Sequence, residues 1–222
     1  MFLIFCATLS SFSDTLYMKA FINEPYHRYT AAVYGKIMKQ IDHHNLTVSA
    51  VSGDMDAFCE LYDLYKLRMY KYARYRLGND QDAEDAVSEC FLSAWKQIGS
   101  LRDPDAFAGW IFTILSGCCG KIIGRQIEGR TALQAEGISV TQTEGRERSA
   151  LPDPVGHGSA ELRLILNEAL EKISETDRNI VLLSVVGGFK SNEIASITGL
   201  KPGSVRSRLS RALAKMREYL EH

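Results

Sequence analysis

Near the C terminus, Lys201, Arg206, Arg208, Arg211, Lys215 and Arg217 follow one another with no acid among them. Cations at that density suit one chemistry above others, the neutralising of a row of phosphates. At helical spacing, Val205, Leu209, Ala212, Leu213, Met216 and Leu220 fall on one stripe, and Ser204, Ser207, Arg208, Arg211 and Lys215 fall on the opposite face. One side is built to pack and the other to meet DNA. A solvated amphipathic helix in an ordinary bundle carries the same charge run, so the preceding residues must separate the two readings.

They predict a helix-turn-helix. Ser191-Asn-Glu-Ile-Ala-Ser-Ile-Thr198 reads as a short helix capped by Ser191, with Ile194, Ala195 and Ile197 facing the core. Gly199 ends it, and a second helix opens near Pro202, a residue tolerated in a first turn. In such motifs the second helix enters the major groove with its N-terminal side chains leading. The expected DNA contacts are therefore Lys190, Ser191, Lys201, Ser204, Arg206, Ser207, Arg208, Arg211 and Lys215. Upstream, Ile180, Val181, Leu183 and Val185 mark a further amphipathic helix, broken at Gly187-Gly188.

Three more helices are expected in the first half. One runs from Asp54 to Leu77, with Phe58, Leu61, Tyr65, Met69 and Tyr72 at helical spacing and Gly78-Asn79 closing it. The next begins among Asp80, Asp82, Glu84 and Asp85, carboxylates that favour the positive end of a helix dipole, and buries Ala86, Val87, Cys90, Ala94 and Ile98. A third follows Asp103-Pro104-Asp105 and carries Phe107, Trp110, Ile111, Ile114 and Leu115. His43-His44, in the stretch before these helices, reads as solvent-exposed.

Composition bounds the remaining choices. The 222 residues, 45% hydrophobic and 24% charged, are ordinary for a soluble globular chain of one or two domains. A net charge of −1 hides the segregation of acidic and basic segments. Five cysteines without a CxxC pair imply reduced thiols in a cytoplasm, and adjacent Cys118-Cys119 without a nearby His implies no metal. The apolar Met1 to Leu9 lacks a basic flank and is too short to span a membrane. No glycine-rich phosphate loop, metal-ligand spacing or nucleophile elbow is present, so neither an enzyme nor a cofactor is expected.

The stretch Ile180 to Ala212 resembles region 4 of bacterial sigma-70 family RNA polymerase sigma factors, above all the extracytoplasmic-function group. Asp56-Ala-Phe-Cys-Glu-Leu-Tyr62, Tyr72-Ala-Arg-Tyr-Arg-Leu-Gly78, Asp82-Ala-Glu-Asp-Ala-Val-Ser-Glu-Cys-Phe-Leu-Ser-Ala-Trp95 and Phe107-Ala-Gly-Trp-Ile111 resemble region 2 of the same family, in the same order. The resemblance implies an all-α chain of two helical domains, with region 2 over 46–125, a flexible linker over 126–159 and region 4 over 160–222. Residues 1–45 form an extension with no assigned role.

By the same resemblance, Gln81, Asp82, Glu84, Asp85 and Glu89 dock on core RNA polymerase. Region 4 meets the minus-35 element of promoter DNA, and the end of the third helix, with Lys121 and Arg125, meets the minus-10 element. Base capture from an opened strand uses stacking surfaces, which makes Trp110 and Phe112 candidates for it, while aromatics at helical spacing are more often core. An anti-sigma factor is an implied partner, and membrane insertion is not implied. The chain departs from the family at Thr113 to Arg125, where glycines stand in place of an arginine-rich continuation. Each glycine inside a helix costs about 1 kcal/mol relative to alanine. Two alternatives stay open: a sigma-like adaptor that docks on polymerase without opening promoters, and a stand-alone helix-turn-helix regulator.

Overall fold

The computed structural model describes residues 43–135 and 160–221, and every regular element among them is helical. The helices are α1 (His43–Val51), α2 (Met55–Leu77), α3 (Asp80–Gln97), α4 (Phe107–Ala135), α5 (Ala160–Glu171), α6 (Glu175–Val185), α7 (Ser191–Thr198) and α8 (Pro202–Glu221). Short 3-10 turns, Ile98–Ser100 and Pro104–Ala106, join α3 to α4. The expected extension up to residue 42 and the later part of the expected linker, 136–159, lie outside the described residues.

Local chemistry sets the helix ends. The Asp54 carboxylate accepts from the amides of Asp56 and Ala57 at 2.9 and 3.2 Å, which starts α2. Gly78 ends it in the left-handed conformation, φ 89°, with its amide donating to Arg74 O. Asn79 then caps α3 by accepting from the Asp82 amide at 2.7 Å. Asp80 accepts from Tyr70 Oη at 2.8 Å and from Arg74, which locks the α2–α3 corner. The interior of the first four helices is built from Phe58, Leu61, Met69, Tyr72, Phe107, Ile111, Phe112 and Leu115, all fully buried.

Three expectations need correction. His43 is half-buried, donating or accepting at 2.7 Å with Tyr65 Oη and packing edge-on against Phe107; burial lowers its pKa below 6.5. It closes α1 onto the core, whereas His44 is exposed and pairs with Asp105. Helix α4 continues to Ala135, so the first ten residues of the expected linker, 126–135, are helical. Ser191 is the first helical residue of α7 and not its cap; the cap is Lys190, whose amide donates to Glu193 Oε2 at 2.6 Å.

Helix α4 is long and apolar enough to cross a membrane by length and composition. Its apolar face is instead core: Ile111, Phe112, Leu115, Cys118, Cys119 and Ile122 are buried. Burial raises the Cys119 thiol to about 12 and pushes up Cys90 and Cys118 as well, so these sulfurs stay protonated and unreactive.

Helices α5 to α8 bury Leu170, Ile180, Leu183, Ile194, Val205 and Met216, which join the buried residues of the first four helices in one continuous core. The α6–α7 connection depends on Gly187. A Cβ there would stand 2.5 Å from Leu183 O and 2.6 Å from the Phe189 ring, and Gly188 turns with φ 72°. The pair folds Phe189 back, so that its amide donates to Leu183 O at 3.1 Å. By contrast, Gly117 and Gly120 in α4 have open space where a Cβ would sit. Gly120→Ala should therefore stabilise the chain by about 0.5–1 kcal/mol, raising Tm by about 1–4 °C, while Gly187→Ala lowers it. Thermal unfolding followed by circular dichroism checks both signs, and equal shifts would contradict the steric argument.

Candidate polymerase and nucleic-acid interfaces

Helix α3 exposes one acidic face because its opposite stripe, Ala83, Ala86, Val87, Cys90 and Ala94, is spent on the core. Gln81, Glu84 and Asp85 are exposed on it, and Asp82 and Glu89 are half-buried. Leu92, 59% exposed, places an apolar side chain on the same helix.

The two half-buried acids have structural work that the spacing alone did not reveal. Asp82 Oδ2 accepts at 2.6 Å from Asn79 Nδ2 and at 2.6 Å from Gln126 Nε2, which ties the start of α3 to the late part of α4. Glu89 accepts from Lys121 Nζ at 3.0 Å. That hydrogen bond, and the attraction that accompanies it, raises the Lys121 pKa. Among the five acceptors expected for polymerase, Gln81, Glu84 and Asp85 are thus the outward ones.

The candidate minus-10 surface divides in the same way. Lys121 and Arg125 are exposed one turn apart on α4, and with Glu89, Gly124 and Glu128 they line an open cleft of about 520 Å³. Trp110 is half-buried and leans on Phe107, ring centroids 5.8 Å apart. Phe112 is fully buried between Tyr72 and Phe189, so it offers no face for a base. Of the two readings open for Phe112, a stacking surface or core, the structure shows core.

On the second domain, α7 and α8 cross behind Gly199, which adopts φ 71°. Val205, Ala212 and Met216 are buried and Leu209 and Leu213 half-buried, which is the apolar stripe expected for α8. Lys190, Lys201, Ser204, Arg206, Ser207, Arg211 and Lys215 are exposed, while Ser191 and Arg208 are half-buried. Arg208 Nη1 donates to Asp177 Oδ1 at 3.0 Å. Burial alone would raise the Asp177 carboxyl, but the Ser174 hydroxyl and Arg208 outweigh it and hold its pKa below the usual value. Ser174 also caps α6 through the Asp177 amide. Arg208 therefore fastens α8 to the start of α6, a role its position off the apolar stripe did not disclose.

Two family models match the chain: Sigma-70 region 2 over residues 61–126 and Sigma-70, region 4 over residues 163–216. The RNA polymerase sigma factor SigL of Mycobacterium tuberculosis, of the extracytoplasmic-function group, is 30% identical over 72% of this chain and 87% of its own length. The chain belongs to the extracytoplasmic-function RNA polymerase sigma factors. SigW of Bacillus subtilis is 28% identical, over 76% of this chain and 91% of SigW, and SigE of Mycolicibacterium smegmatis is 30% identical, with the chain spanning 62% of its length.

Among solved structures, the sigma factor RpoE of Bartonella quintana, in complex with the anti-sigma factor NepR, matches at TM-score 0.60 and 25% identity, covering 74% of this chain and 96% of that one. CnrH in complex with the cytosolic domain of CnrY shares the fold at TM-score 0.59 and 23% identity, over 81% of this chain and 97% of CnrH. The boundary of the region 2 match at residue 126 falls inside α4, close to the Gln126 contact with Asp82.

Two of the α8 arginines, Arg208 and Arg211, would separate binding from stability. Arg211→Ala, at an exposed side chain, should weaken duplex binding and reduce its salt dependence with Tm unchanged. Arg208→Ala should also lose about 0.5–1 kcal/mol of stability, the scale of a partly exposed ion pair. Denaturant melts beside fluorescence-anisotropy titrations check this; an Arg208→Ala melt identical to that of the parent chain contradicts the fastening role.

Proposed function

We propose that this sigma factor binds core RNA polymerase through the outward acids of α3, reads the minus-35 element with α8, and meets the minus-10 element at the Lys121–Arg125 end of α4. Glu84 and Asp85, with Gln81, are the docking contacts, and Asp82 and Glu89 hold the surface in shape. Lys190, Lys201, Ser204, Arg206, Ser207, Arg211 and Lys215 supply the phosphate and base contacts in the major groove, with Ser191 and Arg208 flanking them. The single observation that carries this reading is that an exposed acidic helix and an exposed basic recognition helix occur in one chain, on two matched regions in family order.

The chain performs no bond chemistry of its own, since the phosphoryl transfer belongs to the polymerase, and it acts in the cytoplasm, where polymerase and promoter are. An anti-sigma protein is its proposed regulator, by extension from the complexes of RpoE and CnrH. A second reading, the adaptor that docks without opening DNA, is favoured by one feature. On the described exposed face of α4 the cations are Lys121 and Arg125, and the first is engaged by Glu89. Few cations mean few released counterions and a small electrostatic gain to set against unstacking bases, which costs about a few kcal/mol.

Run-off transcription with purified core polymerase over a promoter library distinguishes the two. Glu84→Arg with Asp85→Arg should sharply reduce retention of core polymerase and leave duplex binding intact. Lys121→Ala with Arg125→Ala should keep polymerase binding but lower permanganate reactivity of promoter thymines and transcript together. Polymerase and promoter bound by the wild-type chain, with no transcript from any promoter, would establish the adaptor instead.

A further inference from the structure

One acid stands where the cations of α8 gather. Asp177, in the first turn of α6, lies against α8, and its Oδ1 accepts from Arg208 Nη1 at 3.0 Å. The carboxylate is itself held in place: Oδ2 accepts from Ser174 Oγ at 2.7 Å, and the Asp177 amide donates back to the same hydroxyl at 3.2 Å. Against the pull of burial, these contacts keep the carboxyl anionic. Arg208 lies in the N-terminal half of α8, the half that leads into a major groove, and shares a helix face with Ser204, Arg211 and Lys215. Of Arg206, Arg208, Arg211 and Lys215, it is the one with a carboxylate in reach, and 39% of its side chain is accessible. Its Nε and Nη2 have no partner among the described residues.

An acid in that place works against phosphate binding. It cancels the charge of Arg208 and repels each nearby phosphate, so a surface that only held the DNA backbone would bind better without it. A base edge carries no net charge, and it is recognised by donors set at a fixed angle. With Nη1 tied to Asp177 the guanidinium plane is fixed, and Nε and Nη2 remain parallel on its other edge, a fork that matches O6 and N7 of guanine. We propose that Asp177 determines base specificity at the minus-35 interface: seated by Ser174, it presets Arg208 to read a guanine in the major groove and turns it away from the phosphates.

Asp177 is thus a positioning residue that acts through Arg208. Water screens the pair in the free chain, and docking on DNA expels that water and strengthens it. This role rests on the reading of α8 as the minus-35 helix, and adds which base one of its side chains selects and what sets the choice.

The test uses the full chain loaded on core polymerase to select duplexes from a library randomised across the minus-35 element, then compares the preferred duplex with singly substituted ones by competition. The wild-type chain should favour G·C at one base pair by about five- to a hundredfold. Asp177→Ala should abolish that preference, leave the other positions unchanged, and bind random-sequence duplex at least as tightly as the wild type, because an acid has left the surface. Asp177→Asn, which keeps an acceptor without the charge, should fall between the two. Arg208→Lys, which keeps the charge and loses the fork, should flatten the same base pair, and adding Asp177→Ala to it should change that pair no further. A guanine preference that survives Asp177→Ala overturns the proposal. So does a loss spread evenly over all positions, the mark of a helix merely displaced, or an Arg208→Lys effect at a different base pair. If Asp177→Ala does not fold, Arg208→Lys decides alone: an intact guanine preference, or equal weakening on preferred and random duplex, overturns the proposal. A wild-type complex that enriches no sequence refutes the minus-35 reading itself and the role of Asp177 with it, a result set apart from the others because there is then no preference to lose.

Discussion

The guanidinium of Arg76 is the group on which the packing of one described helical region against the other depends. A charge at 7% exposure is tolerated only when its donors are used, and here they are divided between two domains: Tyr72 and Ser116 on one side, Glu175 on the other. Removing Glu175 would leave a buried cation without its counter-charge, which is costlier than losing an exposed pair. Tyr72, whose hydroxyl both accepts from Arg76 and donates to Asn179, is itself fully buried, and burial pushes its pKa up. The phenol therefore remains a proton donor across the accessible pH range.

Much of the helical framework could be read from local chemistry. Asp54, Gly78 and Gly199 announce helix ends through a side-chain acceptor or left-handed backbone, properties that depend on a few neighbouring residues. The apolar stripes of α3 and α8 were legible for the same reason, since each repeats within one helix. Legibility failed where partners are far apart in sequence. Arg76 and Glu175 are 99 residues apart, and no spacing rule links them. Phe112 stayed undecided between stacking surface and core because helical periodicity says which face a ring occupies, not what covers that face. His43 looked solvated because its partner Tyr65 lies on another helix.

Helix α4 shows how tertiary burial overrides propensity. Gly109, Gly117, Gly120 and Gly124 all weaken a free helix, yet α4 is the longest described element, because Ile111, Phe112, Leu115, Cys118, Cys119 and Ile122 bury one side of it against α2, α3 and the second domain. No steric requirement for those glycines is visible, since the space at each is open. The late part of α4 is held more lightly, by Lys121 to Glu89 and Gln126 to Asp82. Residues on the acidic helix thus position the basic end of its neighbour, so a perturbation at α3 is felt at α4 without passing through the core.

The scale of each ion pair sorts these cations by what they are free to do. Lys121 with Glu89 and Arg208 with Asp177 are partly exposed, their cationic side chains 68% and 39% accessible, so water and salt screen both pairs. A DNA phosphate can replace the Glu89 carboxylate at little cost, with counterion release in its favour. Arg76 has no such freedom, because it is buried between the two regions with its donors engaged on both sides. The same residue type therefore acts as a reserve of charge at the surface and as a structural bond at the joint, and burial, more than sequence position, assigns the role.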